Sequence, residues 1–299
     1  MRVQAFSGVV TVFLFATVAG AAEPAVEWTD EDRQALDQWF AAVGPRLPGE
    51  TFGDLIVRVG QKKLAVPYEN KVTPAAPEVL RVTLKTLQCM SFVESSLSVS
   101  RCVWQATPDA ACFLREITSL RYRDGRIDGY ASRLHYFEEW LADNARRGHL
   151  SLLTQGLGGT AKQQVTDYMS THAPLYPALA VADDLAAIRA VEKRLSGETY
   201  WIMPRDKVAA IEPQLQSGDV LAFLGNEPGL LVAHTGLVLK DAGKVHILHA
   251  SSSPHKKVMI TAGDIAEYLH RQANRTGLMV ARPLPPEAPP LPSAKASSP

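Results

Sequence analysis

The segment VAHTGLVLKDAGKVHILHA most constrains the fold of this 299-residue chain. Two apolar runs, 234–239 and 244–249, flank Asp241-Ala242-Gly243, and that pattern predicts two strands joined by a turn. Side chains alternate faces along a strand. His234, Gly236 and Val238 therefore share one face of the first strand. On the second, His249 shares a face with Ile247 and Val245, and His246 goes with Leu248. Only one histidine of HILH can point into a given cleft. The expectation is that the hairpin unites His234 and His249 on the sheet face against which a helix beginning at Cys89 packs.

Cys89 opens that predicted helix in the run LQCMSFVES, with Phe92, Val93 and Leu97 on one side. A sulfur at a helix start sits beside unpaired N–H groups and the positive end of the dipole, which favour thiolate over thiol. A histidine can hold the thiolate and later protonate a leaving amine. A further polar group can fix that histidine's tautomer. The order Cys, His, polar residue reads as a cysteine hydrolase. The bland reading of Cys89 is a small buried hydrophobe, and that of His234 and His249 is a pair of core histidines bonded to backbone.

Helical spacing predicts helices over 29–43, 52–59, 111–121, 135–145, 181–195 and 261–271, with Thr29 or Asp30 as the first cap. Further strands are predicted at 220–224 and 278–282. Turns or loops are expected at 66–77, around Arg123-Asp124-Gly125, and at the glycine-rich 155–160. Helices first and antiparallel strands later predict an α+β domain rather than a βαβ repeat. Tyr136, Phe137 and Trp140 read as the packed face of a helix; His246 and His255 read as solvated surface residues.

Arg2, the apolar run 9–18 and the small residues at 19–22 read in order as an export signal over 1–22. A domain over 23–282 follows, then a Pro-rich tail over 283–299 that cannot bury a core. Outside the signal, no stretch is long and apolar enough to span a membrane, so no stable membrane insertion is expected after cleavage. Lys plus Arg is 31 and Asp plus Glu is 31, a zero formal balance that gives no electrostatic case for nucleic acid. There are three cysteines. In an oxidising compartment Cys102 and Cys112 would pair and leave Cys89 free; the alternative is two buried free thiols. Cys89, His234, His246, His249 and His255 are potential zinc ligands, but no CxxC or HExxH spacing accompanies them.

Taken together, VPYEN at Pro67-Tyr68, QCMSFVES at Cys89, RYRDGRIDGYASRLHYFEEW from Arg121, GDVLAF at Gly218-Asp219, HTGLVL at His234 and LHASSSPHKKV at His249 resemble a known group. They are similar to the amidase branch of the NlpC-type, papain-like cell-wall cysteine hydrolases, and more narrowly to the N-acetylmuramoyl-L-alanine amidase-like family. The resemblance implies a papain-like core, an antiparallel sheet packed on the nucleophile helix with extra helices. It makes Cys89 the nucleophile, His234 the general base and acid, and His249 the orienting residue. Tyr68 would steady the tetrahedral intermediate or substrate. Glu94, Arg133, His135 and Ser251 are the other expected substrate-side groups. The implied reaction is hydrolysis of the amide between N-acetylmuramic acid and L-alanine in peptidoglycan fragments, without metal or cofactor. Two positions depart from the family pattern: Gln88 replaces an aspartate and Ser91 a threonine. The alternatives are a stem-peptide cysteine peptidase and a catalytically silent peptidoglycan-binding module.

Overall fold

The computed structural model describes residues 26–70, 77–252 and 254–287. The expected export segment, Pro74 of the expected loop, and the tail from 288 lie outside the described residues. The helices are α1 (Asp30–Val43), α2 (Phe52–Gln61), α3 (Cys89–Trp104), α4 (Ala110–Arg121), α5 (Phe137–Arg146), α6 (Tyr168–Thr171), α7 (Ala182–Ser196), α8 (Val208–Ile211) and α9 (Ile265–Arg271). The strands are β1 (Val26–Glu27), β2 (Leu80–Arg81), β3 (Leu150–Leu152), β4 (Thr160–Lys162), β5 (Tyr200–Pro204), β6 (Val220–Leu224), β7 (Val232–Asp241), β8 (Lys244–Ser251), β9 (Lys257–Ile260) and β10 (Gly277–Pro283). Among the described residues no helix is long and apolar enough to cross a membrane.

Local chemistry sets the helix starts. Thr29 caps α1: its hydroxyl accepts from Asp32 N at 3.1 Å while Asp32 accepts from Thr29 N at 3.3 Å. The other oxygen of Asp32 takes the Leu84 amide at 2.8 Å, tying α1 to the segment that delivers Cys89. Leu36, Trp39, Phe40 and Val43 recur at helical spacing and are buried. The helix expected over 261–271 begins four residues later, because Asp264 caps Glu267 N at 2.7 Å and Gly263 sits at φ +93°. The helix expected from His135 begins at Phe137, since His135 and Tyr136 are not yet helical.

Helix α3 is buried nearly all round and carries buried Ser95, Ser96, Ser98 and Ser100. Ser98 and Ser100 satisfy themselves by donating to the carbonyls of Glu94 and Ser96, at 2.8 and 2.7 Å. A disulfide joins Cys102 of α3 to Cys112 of α4, and Cys89 is free.

The main sheet runs β4-β5-β10-β6-β7-β8-β9, with β3 also paired to β10, and every pair within it is antiparallel. The β7–β8 turn has Asp241 opposite Lys244, with Ala242 and Gly243 both at positive φ, as a two-residue hairpin requires. Both faces of the sheet are covered. One carries Ala222, Leu237, Leu248 and Ala250 against α2 and α3. The other carries Phe223, Val238 and Ile247 against α8 and α9. The short β3, β4, β5 and β9 were not legible as strands. β3, β4 and β9 are only three or four residues long and partly polar, and β3, β4 and β5 pair with strands distant in sequence, whereas β9 follows its partner β8 directly.

The Gly-Asp pair that precedes β6 works structurally. Gly218, at φ +83°, lies so close to Gly53 that an added Cβ would fall 2.6 Å from the Gly53 Cα. Asp219, almost fully buried, accepts from Arg282 Nε and Nη2 at 2.7 and 2.8 Å. That bidentate pair fixes β10 beside β6. The fold extends past the expected tail boundary, because Pro283 pairs with Leu150 and the Leu284 amide donates to His149 O at 2.8 Å. Asp219→Ala should lower stability by about 2 kcal/mol, short of a fully buried pair because Arg282 can regain water. Thermal unfolding should show a drop of roughly 4–8 °C with turnover kept at permissive temperature; an unchanged midpoint would contradict the structural role.

Candidate active site

Alternation along β7 and β8 puts His234 and His249 on one face, one residue pair apart across the strands. Gly236 lies across from His249 and next to His234 on that face of β7. A Cβ there would lie 2.8 Å from the Ile247 side chain and 3.0 Å from the His249 Cβ. Glycine leaves that space open, and His234 Nε2 meets His249 Nδ1 at 2.6 Å. Phe223, opposite His234 on β6, stacks on it at 5.9 Å. Tyr268 of α9 packs edge-on to His249 at 5.8 Å. Both imidazoles are buried, His249 Nε2 without a hydrogen-bond partner. Burial pushes His234 well below the usual histidine range, with His249 and Arg275 adding to the effect, and pushes His249 down to about 4.

Helix α3, which begins at Cys89, reaches this pair differently from the sequence expectation. The body of α3 packs on the Leu237 and Leu248 face, opposite the histidines. Only its first turn comes alongside: Thr235 Oγ1 donates to Cys89 O at 3.3 Å, next in sequence to His234. No described hydrogen bond joins the Cys89 sulfur to His234. Backbone N–H groups of Thr235, Met90 and Cys89, together with Arg275, draw the Cys89 thiol toward ionisation. Burial outweighs them and pushes the thiol up from the ordinary cysteine range. The resting site is a neutral thiol beside neutral imidazoles, not the preformed thiolate that the helix start alone suggested.

Gln88 caps α3 through its backbone: its amide donates to Ser91 Oγ at 2.9 Å. Ser91 thus serves the helix start, and Gln88 lines the adjoining groove. Tyr68 is brought beside Cys89 by pairing with Leu87, with Leu87 N donating to Pro67 O at 3.0 Å. Burial and the neighbouring Cys89 push the Tyr68 phenol up to about 12, so it is a hydroxyl donor at neutral pH. Its OH donates to Asn70 Oδ1 at 3.0 Å.

A groove of about 1090 Å³ opens along the first turns of α3. Glu94, Arg133 and His135 line it, together with Gln88, Met90 and Ser91. Glu94 pairs with Arg121 at 2.8 Å rather than with Arg133, which lies 3.4 Å from Glu78. His135 is held by Tyr130 O at 2.9 Å, and burial, reinforced by Arg133, keeps it neutral. Tyr136 is core, donating to Glu192 at 2.6 Å. Ser251 is buried at the end of β8. His246 is not simply solvated: it bonds Gly263 O at 2.9 Å on the other face of β8, while His255 is exposed. Among the described residues no three His, Cys, Asp or Glu side chains converge as a metal site. Sequence reasoning missed Arg275 and Tyr268. Both act electrostatically on Cys89 or are acted on by it, yet neither lies in a recognisable motif.

The family model described as N-acetylmuramoyl-L-alanine amidase-like matches residues 58–277. The chain belongs to that family. A crystal structure of an N-acetylmuramoyl-L-alanine amidase from Bacteroides uniformis is 32% identical, with a TM-score of 0.73 over 78% of this chain and 98% of that one. A structure of a putative xylanase from Bacteroides fragilis is 33% identical, with a TM-score of 0.68 over 75% of this chain and 98% of that one. A Legionella pneumophila protein shares the fold at 14% identity, with a TM-score of 0.62 over 86% of this chain and 96% of that one. No curated protein matches the chain.

Two outcomes follow from the burial of these groups. Alkylation of Cys89 in the free protein should keep accelerating above pH 9, and a plateau below pH 7 would mean a thiolate–imidazolium pair. His249 is depressed in the folded state, so the unfolded chain takes up its proton first as pH falls. Its stabilising contribution is full above about pH 6.5 and lost toward pH 4. The slope of melting temperature against pH across that window should be shallower for His249→Asn than for wild type; equal slopes would contradict the buried neutral imidazole.

Proposed function

We propose that the chain is an exported cysteine amidase that hydrolyses the N-acetylmuramic acid–L-alanine amide of peptidoglycan fragments. The observation that carries the reading is the 2.6 Å contact between buried His234 and His249 beside the start of the Cys89 helix. Family membership and the amidase from Bacteroides uniformis support the reaction class and the muropeptide substrate. A helix N-terminus bearing the nucleophile, set against an antiparallel strand pair bearing histidines, supports the NlpC-type, papain-like reading. Export is supported by the charge, apolar run and small residues of 1–22, and by the Cys102–Cys112 bridge, since such bridges persist in oxidising compartments.

His234 donates from Nε2 to His249 Nδ1, and this tautomer leaves His234 Nδ1 unprotonated as the base. Because the resting thiol is neutral, His234 takes its proton as the sulfur attacks the muramyl lactyl carbonyl. The Cys89 amide and the Tyr68 hydroxyl donate to the developing oxyanion, each such donor being worth about 3 kcal/mol in hydrolases. Collapse breaks the C–N bond, with His234 protonating the departing L-alanine amine. Water, deprotonated by His234, then releases the muramyl acid and restores the thiol. The groove beside α3 receives the stem peptide, with Glu94, Arg133 and His135 along it, while Ser251 at the end of β8 is not part of its lining.

Mass spectrometry of a muropeptide mixture tests this. Wild type should release stem peptides with a free L-alanine amine, and Cys89→Ala should release none while still folding. His249→Ala should slow turnover by about 100-fold or more, His249→Asn should retain more activity, and His246→Ala should stay near wild type. Exhaustive chelation should leave the rate unchanged. Cleavage inside the stem would make the chain a peptidase, and muropeptide binding without turnover would make it a silent binding module.

A further inference from the structure

A second cavity, of about 500 Å³, lies between α5, the end of α7 and strands β3 and β5, and none of Cys89, His234 and His249 lines it. Its volume falls in the range of small-molecule sites. Glu138 lines it, is 1% exposed, and neither carboxyl oxygen has a hydrogen-bond partner. A buried carboxylate left unpaired is costly, and the neighbouring cations are already committed. Glu139 accepts from Arg123 Nε at 2.8 Å and pairs also with Arg194. Arg146 reaches Asp143 at 2.6 Å and pairs with Asp124, and Arg147 reaches Asp143 at 2.7 Å. Glu198 brings one more carboxylate to the lining. The walls between these groups are apolar, from Leu141, Leu195 and Met279.

We propose that this cavity is a ligand site for a primary ammonium group on a short aliphatic chain, anchored by the Glu138 carboxylate. An ammonium brings three N–H donors and one positive charge to a carboxyl group that lacks both. The apolar walls suit a chain of a few methylenes. Glu139 and Asp143 are held by arginines, and among the described residues no three His, Cys, Asp or Glu side chains converge here as a metal site. The site is independent of the amidase reading, because it shares no residue with the histidine pair or the nucleophile helix.

The cavity carries its own pH signature. Burial, with Glu139 adding to it, pushes the Glu138 carboxyl up to about 7. The charged or titratable groups around it are Glu139, Asp143 and Arg146 on α5, Arg123 and Asp124 before it, Arg194 and Glu198 at the end of α7, and Tyr200 on β5. No histidine lines the cavity. Ammonium binding therefore needs Glu138 to lose its proton, and affinity should be about tenfold lower at pH 6 than at pH 8.

Titration calorimetry with n-pentylamine, and with n-pentanol as the uncharged control, tests the proposal on the whole chain. At pH 8 the amine should bind saturably at one site, weaken about tenfold at pH 6, and outcompete the alcohol. Glu138→Gln should lose at least about tenfold in amine affinity while muropeptide turnover, measured in parallel, stays unchanged. Equal binding of alcohol and amine, a pH-independent affinity, or undiminished binding to Glu138→Gln would overturn it. Should the variant fail to fold, the amine-to-alcohol comparison in wild type at the two pH values decides alone.

Discussion

His234 and His249 meet as diagonal neighbours across two strands of a packed sheet, and the contact depends on the space beside them. Gly236 supplies that space on β7, and a methyl group there would press on both Ile247 and His249. Much of the surrounding structure holds this arrangement in place. Phe223 on β6 and Tyr268 on α9 close over the pair. The two-residue turn at Ala242-Gly243 sets the register that makes His249, and not His246, the partner of His234. Asp219 and Arg282 hold β6 and β10 together at the centre of the same sheet.

Burial decides the electrostatics of the site. The helix start offers N–H groups and a dipole to the Cys89 sulfur, and Arg275 adds a cation, but desolvation is the larger influence. The same influence keeps His234 and His249 neutral. Such a site holds no ion pair at rest. In the proposed mechanism, charge separation is deferred to the moment of attack, when the carbonyl oxygen becomes the anion that the local donors address. Gln88 fits this picture better than it fits a charge-based role. The helix start is capped by Ser91 Oγ on the Gln88 amide, which needs no carboxylate at position 88.

The elements legible in the sequence were those with strong periodic or turn signals. Thr29 and its acidic first turn announced α1, and the HTGLVL and VHILHA runs announced the hairpin and the sharing of a face by His234 and His249. What could not be read was set by distant partners. The face on which α3 packs depends on which side of the sheet α2 covers, and sequence alternation cannot tell the two sides apart. Glu94 pairs with Arg121 rather than Arg133 because α4 lies alongside α3, an arrangement visible only once the helices are packed. Arg275 and Tyr268 escaped notice because neither belongs to a motif, although α9 and the turn after it bring both to Cys89. The Cys102–Cys112 bridge was one of two open readings, since spacing alone does not supply bridge geometry.

In the proposed reaction Cys89 takes the muramyl acyl group while the L-alanine amine leaves. Acid quenching during turnover of a muropeptide, followed by intact-mass and peptide mapping, addresses it directly. A thioester adduct on the Cys89 peptide, with the mass of N-acetylmuramic acid less water, is the expected result. An adduct carrying stem-peptide residues, an adduct at another side chain, or turnover with no covalent adduct under conditions that slow deacylation would contradict it.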